Sequence, residues 1–184
     1  MDRLGTLDWV PALDRPDLVG APVATALSEL EPGEAAGVLV AGIDPELADT
    51  AEFCAAYDVP LEVSANCVVL TARRGGTSQL AACVVLATTR ADVNGVARRT
   101  LESRKASFAP MDIAVAESGM DHGGITPVGL PTGWPLLVDR AVVETDRVIV
   151  GSGLRRSKLA LAGRWLTGLP GAQVVDGLGL PVEH

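Results

Sequence analysis

The chain has 184 residues and a mass of 19.0 kDa, the length of one domain or of one domain with a short arm. Hydrophobic residues at 48% against 21% charged exclude a disordered chain, and aromatics at 3% leave the core to Val, Leu and Ala. A net charge of −8 excludes a nucleic-acid coat protein, which needs a broad cationic face, and no apolar run approaches the ~20 residues of a membrane helix.

Residues 1–35 are rich in Pro, Asp and Glu and carry the apolar anchors Leu7, Trp9, Val10 and Leu13. They are expected to form an arm, with a short helix around Pro22–Leu30, packed on a single domain spanning 36–184. The opening Met1-Asp2-Arg3-Leu4-Gly5 lacks a charged stretch followed by an apolar one, so a cytoplasmic protein is expected. Gly37–Ile43 is a β-branched apolar run and predicts a buried strand. Asp44-Pro45-Glu46 then reads as a helix start, with Asp as cap and Pro at the first position, and the helix ends before Val59-Pro60.

Asn66–Thr71 and Gln79–Ala87 predict two strands joined through Arg73-Arg74-Gly75-Gly76, a hairpin. Asp92 is placed to cap a helix carrying Val93, Val96, Ala97 and Leu101. A short extended piece, Ala106–Phe108, leads to a helix from Pro110 to Glu117 that Gly119 ends. Strands follow at Leu136–Asp139, Arg147–Gly151 and Lys158–Ala160, then a helix at Gly163–Leu169 and a strand at Gln173–Val175. Intermixed strands and helices with antiparallel neighbours predict an α+β domain on a mixed sheet.

Few residue types suited to catalysis are present. Cys54, Cys67 and Cys83 each sit in an apolar run and no CxxC occurs, so they read as buried hydrophobes in a reducing compartment. His122 and His184 are the only histidines, which argues against zinc. No metal and no cofactor is expected. Phe53, Tyr57 and Phe108 are expected in the core, leaving no aromatic platform for bases.

The densest signal is Ser118–Pro135, with five Gly and three Pro in eighteen residues. In Gly123-Gly124-Ile125-Thr126-Pro127-Val128-Gly129, glycines permit close approach of backbone to a ligand, and successive N–H groups can hold an oxyanion. Taken alone, such a loop is better explained by turns than by a binding role.

Gly123–Pro127 matches the GxxxP loop of the YbaK/prolyl-tRNA-synthetase-associated editing domains, with Val-Gly following in pattern. Lys105–Phe108, the Pro110-led helix and Ser118-Gly119 precede it in the order of that family. Leu136-Leu137-Val138-Asp139 resembles its strand ending in Asp. Gly151-Ser152-Gly153, with Arg155 and Lys158 behind it, resembles its glycine turn. The resemblance covers about residues 44–178. It implies an α+β fold with a barrel-like mixed sheet flanked by helices, and hydrolysis of mischarged aminoacyl-tRNA in trans, a step of translation quality control. It further implies that Gly123, Gly124, Ile125, Thr126 and Pro127 cradle the aminoacyl group, the terminal adenosine lying beside them.

The best-known members of the family open the first hairpin strand with a Lys thought to grip the tRNA 3′ end. Alignment puts Asn66 there. Asn66 is then expected to orient the adenosine or the attacking water. Without a charge at 66, different substrate binding, weak activity and binding without hydrolysis all stay open. Asp139, Gly151, Ser152, Gly153, Arg98 and His122 are the expected substrate-binding residues. Basic clusters at Arg73-Arg74, at Arg98-Arg99 with Arg104-Lys105, and at Arg155-Arg156 with Lys158 are candidates for a groove that receives the tRNA acceptor end. A β-branched residue at 124 is expected to block the site and leave stability near normal. A synthetase is a candidate partner. Alternative readings are a non-catalytic module that binds aminoacyl-adenosine or the tRNA 3′ end, and a synthetase-interacting protein.

Overall fold

The computed structural model describes residues 4–182; the readings of Met1–Arg3 and of His184 lie outside them. The chain runs β1 (Val10–Pro11), α1 (Ala21–Ser28), α2 (Pro32–Ala35), β2 (Leu39–Gly42), α3 (Thr50–Tyr57), β3 (Ala65–Arg74), β4 (Thr77–Leu86) and β5 (Thr89–Ala91). It continues through α4 (Arg98–Thr100), β6 (Lys105–Phe108), α5 (Met111–Ser118), β7 (Leu136–Asp139), α6 (Arg140–Val143), β8 (Val148–Gly151), β9 (Ser157–Leu161), β10 (Ala172–Val175) and β11 (Gly179–Pro181).

The strands form three sheets, ordered β1-β2-β9-β8, β10-β7-β4-β3-β6 and β11-β5. The β3–β4 and β3–β6 pairs are antiparallel while β4–β7 and β7–β10 are parallel, so the five-stranded sheet is mixed. No closed barrel forms among the described residues, which corrects the barrel-like expectation. The two large sheets touch instead through one bridge, Ser64 to Ile149. That junction lies two residues before Asn66 and two before Gly151, so it brings the start of β3 and the end of β8 to one place.

Alternation along the strands explains why the five-stranded sheet is covered on both faces. Val84 and Val138 point into the main core, with Val23 and Leu27 of α1, Val40, Val150 and Leu159. Their neighbours Cys83, Val85 and Leu137 point the other way, against Leu70, Ala97 and Leu178. A third cluster joins Phe53 of α3 to Ile43, Ile149 and Ala160. Residues before 36 contribute directly: Val10 pairs with Val40, and Val23 and Leu27 are buried.

Several local expectations change. Asp44 caps only a 3₁₀ turn, Pro45–Leu47, and α3 starts afresh after Asp49. Asp92 accepts from the N–H groups of Gly95 and Val96, but it opens a π-helical segment, Val93–Ala97, rather than an α-helix. The strands β1, β5 and β11 are too short for periodicity to reveal. No helix among the described residues is long and apolar enough to cross a membrane.

Candidate active site

A cleft of ≈ 560 Å³ opens where the two large sheets meet. Five segments line it: residues 48–50 before and at the start of α3, residues 65–69 of β3, Thr89, Arg90 and Ala91 of β5, Phe108, Ala109 and Met111 where β6 leads into α5, and His122, Gly123 and Ile125 of the Gly/Pro loop. Val85 of β4, Ala114 of α5, Gly151 of β8 and Lys158 of β9 complete the wall.

Asn66 stands half-buried at the second position of β3. The Thr50 hydroxyl donates to its Oδ1 at 2.6 Å. With the carbonyl side of the amide occupied, Nδ2 is left as the donor of this side chain.

The Gly/Pro loop is stapled to the β8–β9 turn. Asp121 donates its N–H to the Gly153 carbonyl, and Gly153 donates to the Gly124 carbonyl at 2.8 Å. The Arg155 backbone N–H reaches Asp121 Oδ2. Close packing requires glycine at two points. A Cβ on Gly124 would sit 2.5 Å from the Leu154 carbonyl carbon, and one on Gly151 would sit 2.5 Å from the Gly124 carbonyl oxygen. Gly124 is therefore a backbone contact, and the expectation that a side chain at 124 would leave stability near normal is corrected.

The loop residues differ in what they offer. Gly123, Ile125 and His122 line the cleft, whereas Gly124, Thr126 and Pro127 are buried behind it. Gly124 donates its N–H to the Asp121 carbonyl, and the Thr126 N–H lies 3.5 Å from the Met120 sulfur. The His122, Gly123 and Ile125 N–H groups have no acceptor among the described residues, so they are left as loop donors for a ligand. The Thr126 hydroxyl is buried with no hydrogen-bond partner among the described residues.

The remaining expected residues lie elsewhere. Asp139 is buried away from the cleft, where its oxygens accept from the Ala141 and Gly179 N–H groups. The Ser152 hydroxyl lies 2.7 Å from that of Ser157, in a knot that includes the Leu18 carbonyl. Gly153, at φ +84°, packs on Gly20. Arg98 donates to the Asn94 carbonyl outside the cleft. Of the basic clusters, Arg73 sits across from Lys105 in register, next to Arg104 on the same edge. The third cluster is not a surface groove. Arg155 bonds to the Pro45 carbonyl and Asp49, Arg156 bonds to the Asp17 carbonyl, and Lys158 is buried.

Three cleft residues have places that differ from their reading in the sequence: Thr50 is not singled out there, Lys158 reads as part of a basic surface groove, and Phe108 as core. Thr50 gave no signal. Lys158, 8% exposed, reaches the cleft from a strand whose residues are all buried; a single charge inside the apolar run Lys158–Ala162 was the available clue. Phe108 was expected in the core and is 63% exposed at the mouth of the cleft, beside exposed Met111. Its position at the end of an edge strand, two residues before Pro110, explains the difference: no further strand covers it. Cys67 also lines the cleft, but burial pushes its thiol far above the ordinary range, so it stays protonated and is a poor nucleophile.

The profile of the aminoacyl-tRNA editing domain matches residues 44–168, a stretch that contains the cleft's loop, β3, β8 and β9. The chain belongs to this family. A search of curated proteins found no match. Among solved structures, this editing domain is similar to a protein crystallised as a candidate trans-editing enzyme for prolyl-tRNA synthetase. They share 21% identity at a TM-score of 0.66 over 80% of this chain and 98% of the other. The hypothetical protein APE2540 matches at 20% identity and a TM-score of 0.72, over 84% and 99% of the two chains. A scaffold from a study of epitope grafting by computational design matches at 23% and 0.70, over 85% and 95%. At these identities the likeness is one of fold.

Proposed function

We propose that this editing domain hydrolyses the ester of mischarged aminoacyl-tRNA in trans, in the cytoplasm, as a check on translation. The observation that carries the reading is that Asn66, Gly123 and Ile125 line one cleft within the family's matched region. An aminoacyl ester is already activated, so it needs a positioned water and donors for the developing oxyanion, each worth ~10²–10³-fold. No side-chain nucleophile or metal is required by that chemistry.

In this reading the aminoacyl group lies against Gly123, Ile125 and Gly151. Asn66 holds the carbonyl or the water through Nδ2. The terminal adenine stacks on Phe108 and Met111 at the mouth, since an exposed aromatic face accepts any base. The Arg73, Arg104 and Lys105 edge lies farther along β3 and β6, roughly four residues or ~13 Å from Val69. It meets the acceptor-stem phosphates. Asp139 and Ser152 support the walls by their backbone bonds and touch no substrate. A synthetase that releases the mischarged tRNA is the expected partner.

The test is deacylation of a panel of labelled aminoacyl-tRNAs, starting with Ala-, Cys- and Ser-tRNA of the proline acceptor, against Asn66→Ala and a control without protein. Loss of label with the wild type that drops sharply in the variant is the expected result. A flat panel rejects hydrolysis, and titration with a non-hydrolysable aminoacyl-adenosine then asks whether the cleft is a binding module.

A further inference from the structure

Among the described residues, Lys158 is the only buried charged side chain that lines the cleft. It projects from β9, across the cleft from β3. Its Nζ donates to the Ala48 carbonyl at 2.8 Å and lies 5.1 Å from the centroid of the Phe53 ring. Both contacts fix where the ammonium sits. Neither neutralises it: Lys158 takes part in no ion pair among the described residues, the nearby Asp49 is engaged by Arg155, and the Cys54 thiol of α3 beside it is pushed up by burial and stays protonated at neutral pH. An ammonium carries three N–H donors. One goes to Ala48, and the other two have no acceptor among the described residues.

A buried cation without a counter-ion works against folding, and an apolar side chain of similar length would pack in its place without that cost. Such a charge on the wall of a cleft is the mark of a group kept for a ligand. The ligand must bring negative charge or develop it.

We propose that Lys158 is a catalytic residue of this site, its ammonium holding the ester carbonyl oxygen of the aminoacyl group from β9, opposite the amide of Asn66. This rests on the deacylase reading above. Water adds to the carbonyl carbon and the π pair moves onto the oxygen, whose charge faces the ammonium. When that pair returns, the bond to the ribose oxygen breaks. The ribose oxygen takes up the proton that the water gave up, leaving free amino acid and tRNA. Lys158 keeps its proton throughout. Burial lowers its pKa to about 8, so the group is largely charged at neutral pH and becomes neutral as pH rises beyond that value. The apolar wall that lowers the pKa also strengthens the attraction for an oxyanion.

The experiment compares wild type with Lys158→Met, an unbranched apolar replacement. The variant is expected to unfold at the same or a higher temperature and to lose deacylation by ~10²–10³-fold. For the wild type, with spontaneous hydrolysis subtracted, the slope of log kcat/KM against pH is expected to fall by one unit on passing about 8. A variant that deacylates at the wild-type rate overturns the proposal. So does a variant whose activity falls only as far as its folded fraction. The wild-type profile stands even if the variant fails to fold, and a straight line through pH 8 overturns the proposal by itself. If the wild type cleaves no acyl ester, the deacylase reading fails separately. Affinity for a 3′-aminoacylamido adenosine then tests Lys158, and an unchanged Kd in Lys158→Met rejects it.

Discussion

The Thr50 hydroxyl donates to Asn66 Oδ1 at 2.6 Å, joining the first turn of α3 to the start of β3 across the floor of the cleft. The bond selects one orientation of the amide, with Nδ2 as donor. Thr50→Val keeps the shape and removes the hydroxyl. The Asn66 amide is then free to turn, and kcat/KM for an aminoacyl-tRNA is expected to fall about fivefold to tenfold, with a stability loss of about 1 kcal/mol for one hydrogen bond. Steady-state deacylation and urea unfolding check the two effects. An unchanged kcat/KM would show that the amide does not act on substrate.

Gly124 is pressed against the Leu154 backbone, with Leu154 C, O and N all within 2.9 Å of where its Cβ would stand. Backbone cannot swing aside as a side-chain tip can. Gly124→Ala is expected to destabilise the fold by about 2–3 kcal/mol through overpacking. A chemical-denaturation midpoint equal to wild type would contradict this packing. Activity lost in such a variant reports folding first, so substitutions at Asn66 or Lys158 are better probes of the cleft.

Phe108 contributes little to the core, since most of its ring is exposed. Phe108→Ala is expected to leave thermal stability within about 0.5 kcal/mol of wild type. It should weaken binding of an acylated 3′ end by about 1–3 kcal/mol, the range for loss of one base stack. Titration with an acylated acceptor-stem minihelix measures it. A minihelix ending in an abasic nucleotide should bind wild type and variant alike.

Stability should change with pH in a way set by buried groups of opposite sign. Burial holds Lys158 at about 8 in the folded chain, against an ordinary 10.5. Below pH 8 both states carry the proton. Between 8 and 10.5 the unfolded chain binds more protons, so stability rises with pH, by at most about 1.4 kcal/mol per unit for one proton. The buried thiols act in reverse. Burial pushes Cys83 up to about 12 and raises Cys67 and Cys54 as well, from an ordinary 9. Above pH 9 the unfolded thiols lose protons that the folded chain keeps, and stability falls. Unfolding free energy should therefore climb between pH 8 and 9 and turn over beyond. Denaturant melts across that range should show the climb in wild type and lose it in Lys158→Met.

Local pattern alone determined much of this protein. Apolar runs bounded by glycine and proline marked β2, β3, β4, β7, β8 and β9, because the two-residue period and turn chemistry are written in near neighbours. Gly123–Pro127 and its flanking elements, in order, pointed to the family, and Asn66 to the strand that bears on the site. Only the tertiary structure decided which of these residues meet. Lys158 and Ala48 are 110 positions apart, and no periodicity in β9 says that its wall faces a cleft built from β3 and the Gly/Pro loop. Asp139 and Ser152 looked equally suited to substrate, and their roles as backbone acceptor and buried knot follow from partners as distant as Gly179 and Leu18. Phe108 read as core because it is aromatic; it is exposed because the sheet ends at β6. A residue's face is set by its own strand, but what that face meets is set by how separate sheets dock.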